Sequence, residues 1–430
     1  MSTNTNTTHK MRPTRHLHID PSKRKPLLRD QNSVAEAPPS LPVKKTHIHP
    51  SHPASGPGIS SARPEDASVS FIGNATTILE WQGLRILTDP NFLHKGDHVH
   101  LGPGVTSKRM MDPAVDIDEL PAVDLVLLSH YHEDHFDRLV EGRLNRDFNI
   151  VTTPHARSCL TNEARYMGGG GVLKGIGKGQ GAKEDAGPFR AVHDLDHFES
   201  IVLHIDGTDR GDGKTPVVKI TGMPGKHVPP GPLAVANDLL GTVPPTNGWL
   251  LEMGWATGQG QAKATTEPQL LETGYRTYIS GDTLFVDELK QIPIYIRDQQ
   301  LAHQQRLSSS SSSSSSTAAK TTDKGGDGGR VDLMIVHLGG TTIPGPKMPL
   351  LMVTMDAKQG VELMRLMNPD LTIPVHFDDY DVMLSPLKDF KTEVDNMGPE
   401  WKNRVVYLDR GEQFRFKVRD PQGADVVKAV

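Results

Sequence analysis

In the run His130-Tyr131-His132-Glu133-Asp134-His135, four potential metal ligands fall within six residues, directly after the apolar stretch Val123–Ser129. Alternate side chains of an extended segment point the same way, so His130 and His132 can close on one cation while Tyr131 and Glu133 face elsewhere. Phe136 to Val140 then reads as a helix start. A sharp turn before it would swing Asp134 and His135 toward a second cation beside the first. Imidazole combined with carboxylate suits zinc, manganese or iron. A solvated polar turn after a buried strand is the alternative, and it leaves the density of ligand types without a reason. The run therefore reads as half of a two-metal site.

Other segments join it in chain order. Val69-Ser70-Phe71-Ile72-Gly73-Asn74-Ala75-Thr76-Thr77 and Ile86-Leu87-Thr88-Asp89-Pro90 lie upstream; Ile220–His227, Tyr278-Ile279-Ser280-Gly281-Asp282-Thr283 and Thr372-Ile373-Pro374-Val375-His376-Phe377 lie downstream. Together these resemble the metallo-β-lactamase superfamily over about residues 68 to 418, nearest to its branch of ascorbate-6-phosphate lactonase-like and N-acyl-phosphatidylethanolamine phospholipase D-like enzymes. One departure is Asn74, where many members of that branch carry His. The resemblance implies an α/β fold, the αββα four-layer sandwich, with the ligands on loops at one edge. It implies one metal on His130, His132 and His227, a second on Asp134, His135 and His376, Asp282 bridging, and Asp89 supporting the ligands from behind. Two divalent ions are expected, zinc first and manganese as the alternative.

Two such cations would supply hydroxide at neutral pH and polarise the attacked oxygen, with no nucleophilic side chain needed. The expected function is hydrolysis of a small polar ester, lactone or phosphodiester by a metal-bridging hydroxide, with Asp134 handling the proton. His337, ending the strand-like run Asp332–Val336, is a further catalytic candidate for contact with a phosphate or oxyanion. The acidic run Asp378, Asp379, Asp381 after His376 could bind a hydroxyl-rich or cationic group or support the ligands. Phospholipase D-like cleavage of a lipid phosphodiester and a non-catalytic metal-bearing binding protein remain the alternatives, because fold does not choose substrate.

The remainder of the chain predicts one enzyme-sized domain, residues 67 to 420, with appendages. Residues 1 to 66 hold ten Lys and Arg against five Asp and Glu, so the rest of the chain carries about −10 of the net −5. Rich in Pro, Thr, Ser and His, this segment reads as a disordered basic tail, and residues 421–430 as a second tail. Gly- and Ser-rich stretches near 168–187, 254–268 and 298–330, the last containing Ser308–Ser316, read as flexible insertions. Phe189–His193 and Ser200–Ile205 read as a hairpin-like pair, Asp356–Met367 as a helix stopped by Asn368-Pro369, and Ser385–Asn396 as a helix capped by Ser385.

An acidic folded part and a pI near 6.5 argue against nucleic acid as partner and leave a small molecule. No run reaches the ~18 apolar residues of a membrane span, no secretory signal is evident, and the single Cys159 suits a reducing compartment, with the cytoplasm expected.

Overall fold

The computed structural model describes residues 12–48, 65–162 apart from 103, 187–207, 214–257 apart from 233, 236 and 238–242, 270–311 and 330–420. The expected tail at 421–430, the insertion near 168–187 except Gly187, the tip of that at 254–268 and the middle of that at 298–330 lie outside these residues.

Several strands are apolar without alternation, which is the pattern of a sheet covered on both faces. In Leu125–Leu127 the two leucines enter one core while Val126 enters another; Leu333 and Ile335 separate from Met334 and Val336 in the same way. The shared core lies between two sheets and includes Val69, Phe71, Leu251, Ile335 and Ile373, with Trp81 and Trp255 meeting edge to face at 5.4 Å. One sheet has seven strands, in the order Arg15–Ile19, Ser200–Ile205, Lys214–Pro224, Asn247–Thr257, Leu270–Ile279, Leu333–His337, Leu371–Val375. The other has eight, in the order Val192–Asp194, Ile150–Thr152, Leu125–Leu127, Leu84–Thr88, Thr76–Trp81, Ala67–Gly73, Glu412–Phe416, Lys45–Ile48. Helices Gln291–Ser311, Ala357–Met367 and Leu387–Met397 cover the outer face of the first, and Arg138–Arg143 and Pro154–Leu160 that of the second. This is the αββα sandwich.

Local chemistry sets the element ends. Asp356 caps Ala357–Met367 by accepting from the Gln359 amide at 2.9 Å, and Asn368 ends it in the left-handed region. Ser385 does not cap its own helix; it closes the strand Met383–Ser385, and its hydroxyl accepts from the Ala357 amide at 3.1 Å. The expected hairpin of Phe189–His193 with Ser200–Ile205 is also corrected. Val192–Asp194 pairs with Ile150–Thr152 in one sheet and Ser200–Ile205 with Lys214–Pro224 in the other, so the intervening turn crosses between sheets. The insertion near 298–330 begins later than expected, because the helix from Gln291 continues to Ser311.

The largest correction concerns residues 12–48, expected within a disordered tail. Arg15–Ile19 pairs in parallel with Ser200–Ile205, Lys45–Ile48 pairs with Glu412–Arg415, and Leu27 and Leu28 are buried against the outer face of the eight-stranded sheet. Arg12 bonds Glu199 at 2.8 Å and pairs with Asp194, and Arg24 pairs with Asp124 at 2.9 Å. A composition average misses this because two strands of four or five residues take their partners from sheet edges built elsewhere in the chain.

Replacing Leu28 by Ala should lower unfolding free energy by about 2–5 kcal/mol, read by denaturant titration. Hydrogen bonding to Arg12 holds the Glu199 carboxyl down from its usual 4.5 to about 2. A depressed folded value means the stabilisation is full above the ordinary carboxylate range and is lost as pH falls toward about 2. Amide exchange in Arg15–Ile19 should therefore accelerate across that window in the wild type and not in Glu199→Gln.

Candidate metal centre

The strand ends of both sheets converge at one edge of the sandwich. His130, His132, Asp134 and His135 follow Leu125–Leu127, His227 follows Lys214–Pro224, Asp282 follows Leu270–Ile279, and His376 follows Leu371–Val375. The turn after Asp134 forms because Asp137 caps the next helix, accepting from the amides of Leu139 and Val140, while its other oxygen accepts from Phe92 at 2.5 Å. His376 has a left-handed backbone, φ 60°, which turns its ring back from the strand into the cluster.

The ligand-type atoms fall into overlapping groups. His130, His227 and Asp282 offer atoms within 4.8 Å of one another, as do His130, His132 and Asp134, and as do Asp134, His135, Asp282 and His376. The Asp282 carboxylate lies 3.2 Å from His135 Nε2 and 3.4 Å from His376 Nε2. Asp134 lies 3.6 Å from His376 Nε2 and 3.7 Å from His135 Nε2.

The Nε2 atoms of His130, His132, His135, His227 and His376 and Oδ1 of Asp134 are buried without a hydrogen-bond partner. Orphaned buried polar atoms are costly. Converging here from imidazole and carboxylate, they have the chemistry of a donor set for divalent cations. The opposite ring nitrogens are engaged: His227 Nδ1 with the Val353 carbonyl at 2.9 Å, His376 Nδ1 with the Leu338 carbonyl at 3.0 Å, and His130 Nδ1 with the Ser129 hydroxyl at 2.9 Å. A proton on Nδ1 donated to a carbonyl leaves Nε2 as the free lone pair.

Burial pushes His130 well below its usual value and His227 down to about 4, so both are neutral near pH 7. Burial acts the same way on His135, but Asp282 and Asp134 outweigh it and raise that group. His135 and His376 hold both carboxyls below the ordinary range against a burial effect of opposite sign.

Asp89 takes its expected place behind the ligands, accepting from the Ser129 amide at 2.7 Å and lying 3.4 Å from His135 Nδ1. The cleft is lined by His132, Asp134, His227 and Asp282, with Leu101, Val243, Thr341, Ile343 and Val353 around them. His337 is not among these; it is buried, its Nδ1 3.0 Å from Asp282 Oδ1, while Thr354 donates to Asp282 Oδ2 at 3.0 Å. The acidic run after His376 turns inward: Asp378 and Asp379 pair with Arg410, Asp379 also with Arg109, and Asp381 accepts from Ser107. Asn74 donates to the Asp134 carbonyl at 2.6 Å.

Asn91, Arg109, Thr354 and Tyr380 escape sequence reasoning. Each is a single polar residue without ligand spacing, and only the folded chain brings them to the cluster.

Residues 68–200 match the beta-lactamase superfamily domain. An uncharacterized protein of Mycobacterium tuberculosis is 38% identical over 85 residues, 20% of this chain and 22% of that protein. The mitochondrial N-acyl-phosphatidylethanolamine-hydrolyzing phospholipase D of Saccharomyces cerevisiae is 40% identical over 68 residues, 16% of this chain and 14% of that protein. The chain thus spans about a fifth or less of the length of these relatives. A solved structure of a possible metal-dependent hydrolase from Veillonella parvula shares the fold, with a TM-score of 0.50 at 16% identity, covering 82% of this chain and 100% of that one. The domain match spans the opening strands, Asp89 and the loop His130–His135, and the shared fold extends to most of the remaining chain. Residues 68–200 are thus similar to a beta-lactamase superfamily domain, and the fold they begin is shared with that solved structure over most of the chain.

Proposed function

We propose that this protein is a binuclear hydrolase of a neutral ester or lactone. The observation that carries the reading is the set of buried Nε2 atoms without hydrogen-bond partners, in overlapping groups of which two contain Asp282 and two contain Asp134. His130, His132 and His227 would hold one divalent cation, Asp134, His135 and His376 the other, with Asp282 common to both; zinc suits this donor set and manganese is the alternative. When bound, such a pair lowers the pKa of water and stabilises negative charge on the attacked oxygen.

The protein's own residues do the rest. Asp134 lines the cleft with Oδ1 free of hydrogen bonds and 3.4 Å from His132 Nδ1, so it can accept the nucleophile's proton and return it to the leaving oxygen. His337 and Thr354 orient the Asp282 carboxylate; we assign His337 this role in place of substrate contact, since it sits behind Asp282 and away from the cleft lining. Leu101, Val243, Ile343 and Val353 present an apolar wall, and no Lys or Arg stands among the described lining residues. That wall favours an uncharged ester or lactone over a phosphorylated sugar, which would need cationic partners.

A second reading, cleavage of a lipid phosphodiester, is favoured by the yeast relative and by the exposed Met348 and Leu350 on the hairpin that carries Thr341 and Ile343. Among the described residues no helix is long and apolar enough to cross a membrane. A cytoplasmic location remains our proposal.

Elemental mass spectrometry of protein purified from its native host without chelator should find about two zinc or manganese ions per chain; one iron, or no metal, would sink the reading. With the metals in place, lactones and aryl esters should be turned over faster than bis-aryl phosphodiesters, and the reverse order would install the second reading. Asp134→Ala should lower kcat by roughly 10²–10⁴-fold with the fold intact. His337→Ala should weaken metal binding about 10–100-fold with KM unchanged at saturating metal; a raised KM with metal affinity intact would return His337 to substrate contact.

A further inference from the structure

Burying a charge pair away from water is costly, and such pairs are poor stabilisers compared with apolar packing of the same volume. Arg109 and Asp379 form one at 2.8 Å with both side chains fully buried. What distinguishes the pair is its connections. Asp379 Oδ2 accepts from the backbone amide of Asn74 at 2.7 Å and pairs with Arg410 at 2.7 Å. Arg109 donates to the side-chain oxygen of Asn91, whose amide nitrogen donates to the Asp134 carbonyl at 2.7 Å and to the Tyr380 hydroxyl at 2.6 Å. Asn74 donates to the same Asp134 carbonyl, and its own carbonyl accepts from the His376 amide at 2.9 Å.

Two side-chain amides thus converge on one carbonyl, that of a ligand residue, and both are set by the same buried carboxylate. Asn74 itself stands at φ 52°, a left-handed conformation that aims its backbone amide at Asp379. We propose that the Arg109–Asp379 pair is a positioning device for one half of the metal centre, setting Asp134 and His376 relative to each other. The half made by His130, His132 and His227 rests instead on Ser129 and Val353, and it meets this network at Asp134, whose Oδ1 lies 3.4 Å from His132 Nδ1. The pair therefore acts selectively: its loss opens the Asp134, His135, His376 group and leaves the other able to hold its ion. This rests on the two-cation reading above.

The test uses the full chain as wild type, Asp379→Asn and Asn91→Ala. The second variant cuts the link between Arg109 and the Asp134 carbonyl without removing a charge. Each is loaded with zinc and dialysed against a competing chelator; ions per chain are counted by elemental mass spectrometry, and folding is followed by near-ultraviolet circular dichroism and melting. The expected result is two ions in the wild type and one in each folded variant, the second ion bound about 10–100-fold more weakly. Two ions with unchanged affinity in both folded variants would overturn the positioning role and leave the two-cation reading standing. Equal weakening of both ions, or failure of both variants to fold, would overturn it in favour of a general structural role. Fewer than two ions in the wild type would remove the two-cation reading, and this proposal with it.

Discussion

The Nε2 atoms of five imidazoles and a carboxylate oxygen, buried together without hydrogen-bond partners, are the constraint that the surrounding structure has to support. Each such atom costs on the order of 1–3 kcal/mol when left unsatisfied, and two carboxylates beside them add charge in a dry setting. A chain relaxes such an arrangement unless its neighbours are rigid. Here the rigidity is built behind four of the five rings and behind the Asp282 carboxylate, by carbonyls of Val353 and Leu338, by the Ser129 hydroxyl, by His337 and Thr354 on Asp282, and by Asp89 near His135. The residues behind the ligands are the larger part of the centre.

The same constraint explains why the sandwich has its form. Ligands come from both sheets, so their spacing depends on how the sheets pack, and the shared core between them is dense with large side chains such as Trp81, Trp249, Trp255 and Phe414. Residues 12–48 reinforce this from outside. They add a strand to one edge of the seven-stranded sheet, bury Leu27 and Leu28 behind the eight-stranded one, and add a strand at that sheet's far edge. A single segment that touches both sheets resists their separation, which would otherwise spread the ligand loops.

The acidic run after His376 illustrates how one set of residues admits two functions until partners are known. In sequence, three aspartates beside a ligand suit either a cationic substrate or internal support. In the folded chain Arg109 and Arg410, drawn from distant segments, neutralise Asp378 and Asp379, and the cleft wall left behind is apolar. The substrate class we propose shifts accordingly, away from charged sugars and toward uncharged esters.

What the sequence determined by itself is the chemistry and the order of its parts. Ligand types at offsets set by an extended strand and a helix start are properties of neighbours along the chain, and so the His130–His135 loop was legible, while the two-sheet sandwich was implied by the resemblance of several such segments in order. Tertiary structure alone decided the docking of residues 12–48, the crossing of Val192–Asp194 and Ser200–Ile205 into different sheets, the place of His337 behind Asp282, and the burial of Arg109 against Asp379. Each of these depends on a partner far away in sequence, 270 residues away for Arg109 and Asp379. A short strand or a lone polar side chain carries no periodic signal of its own, so its role exists only once the rest of the chain has folded around it.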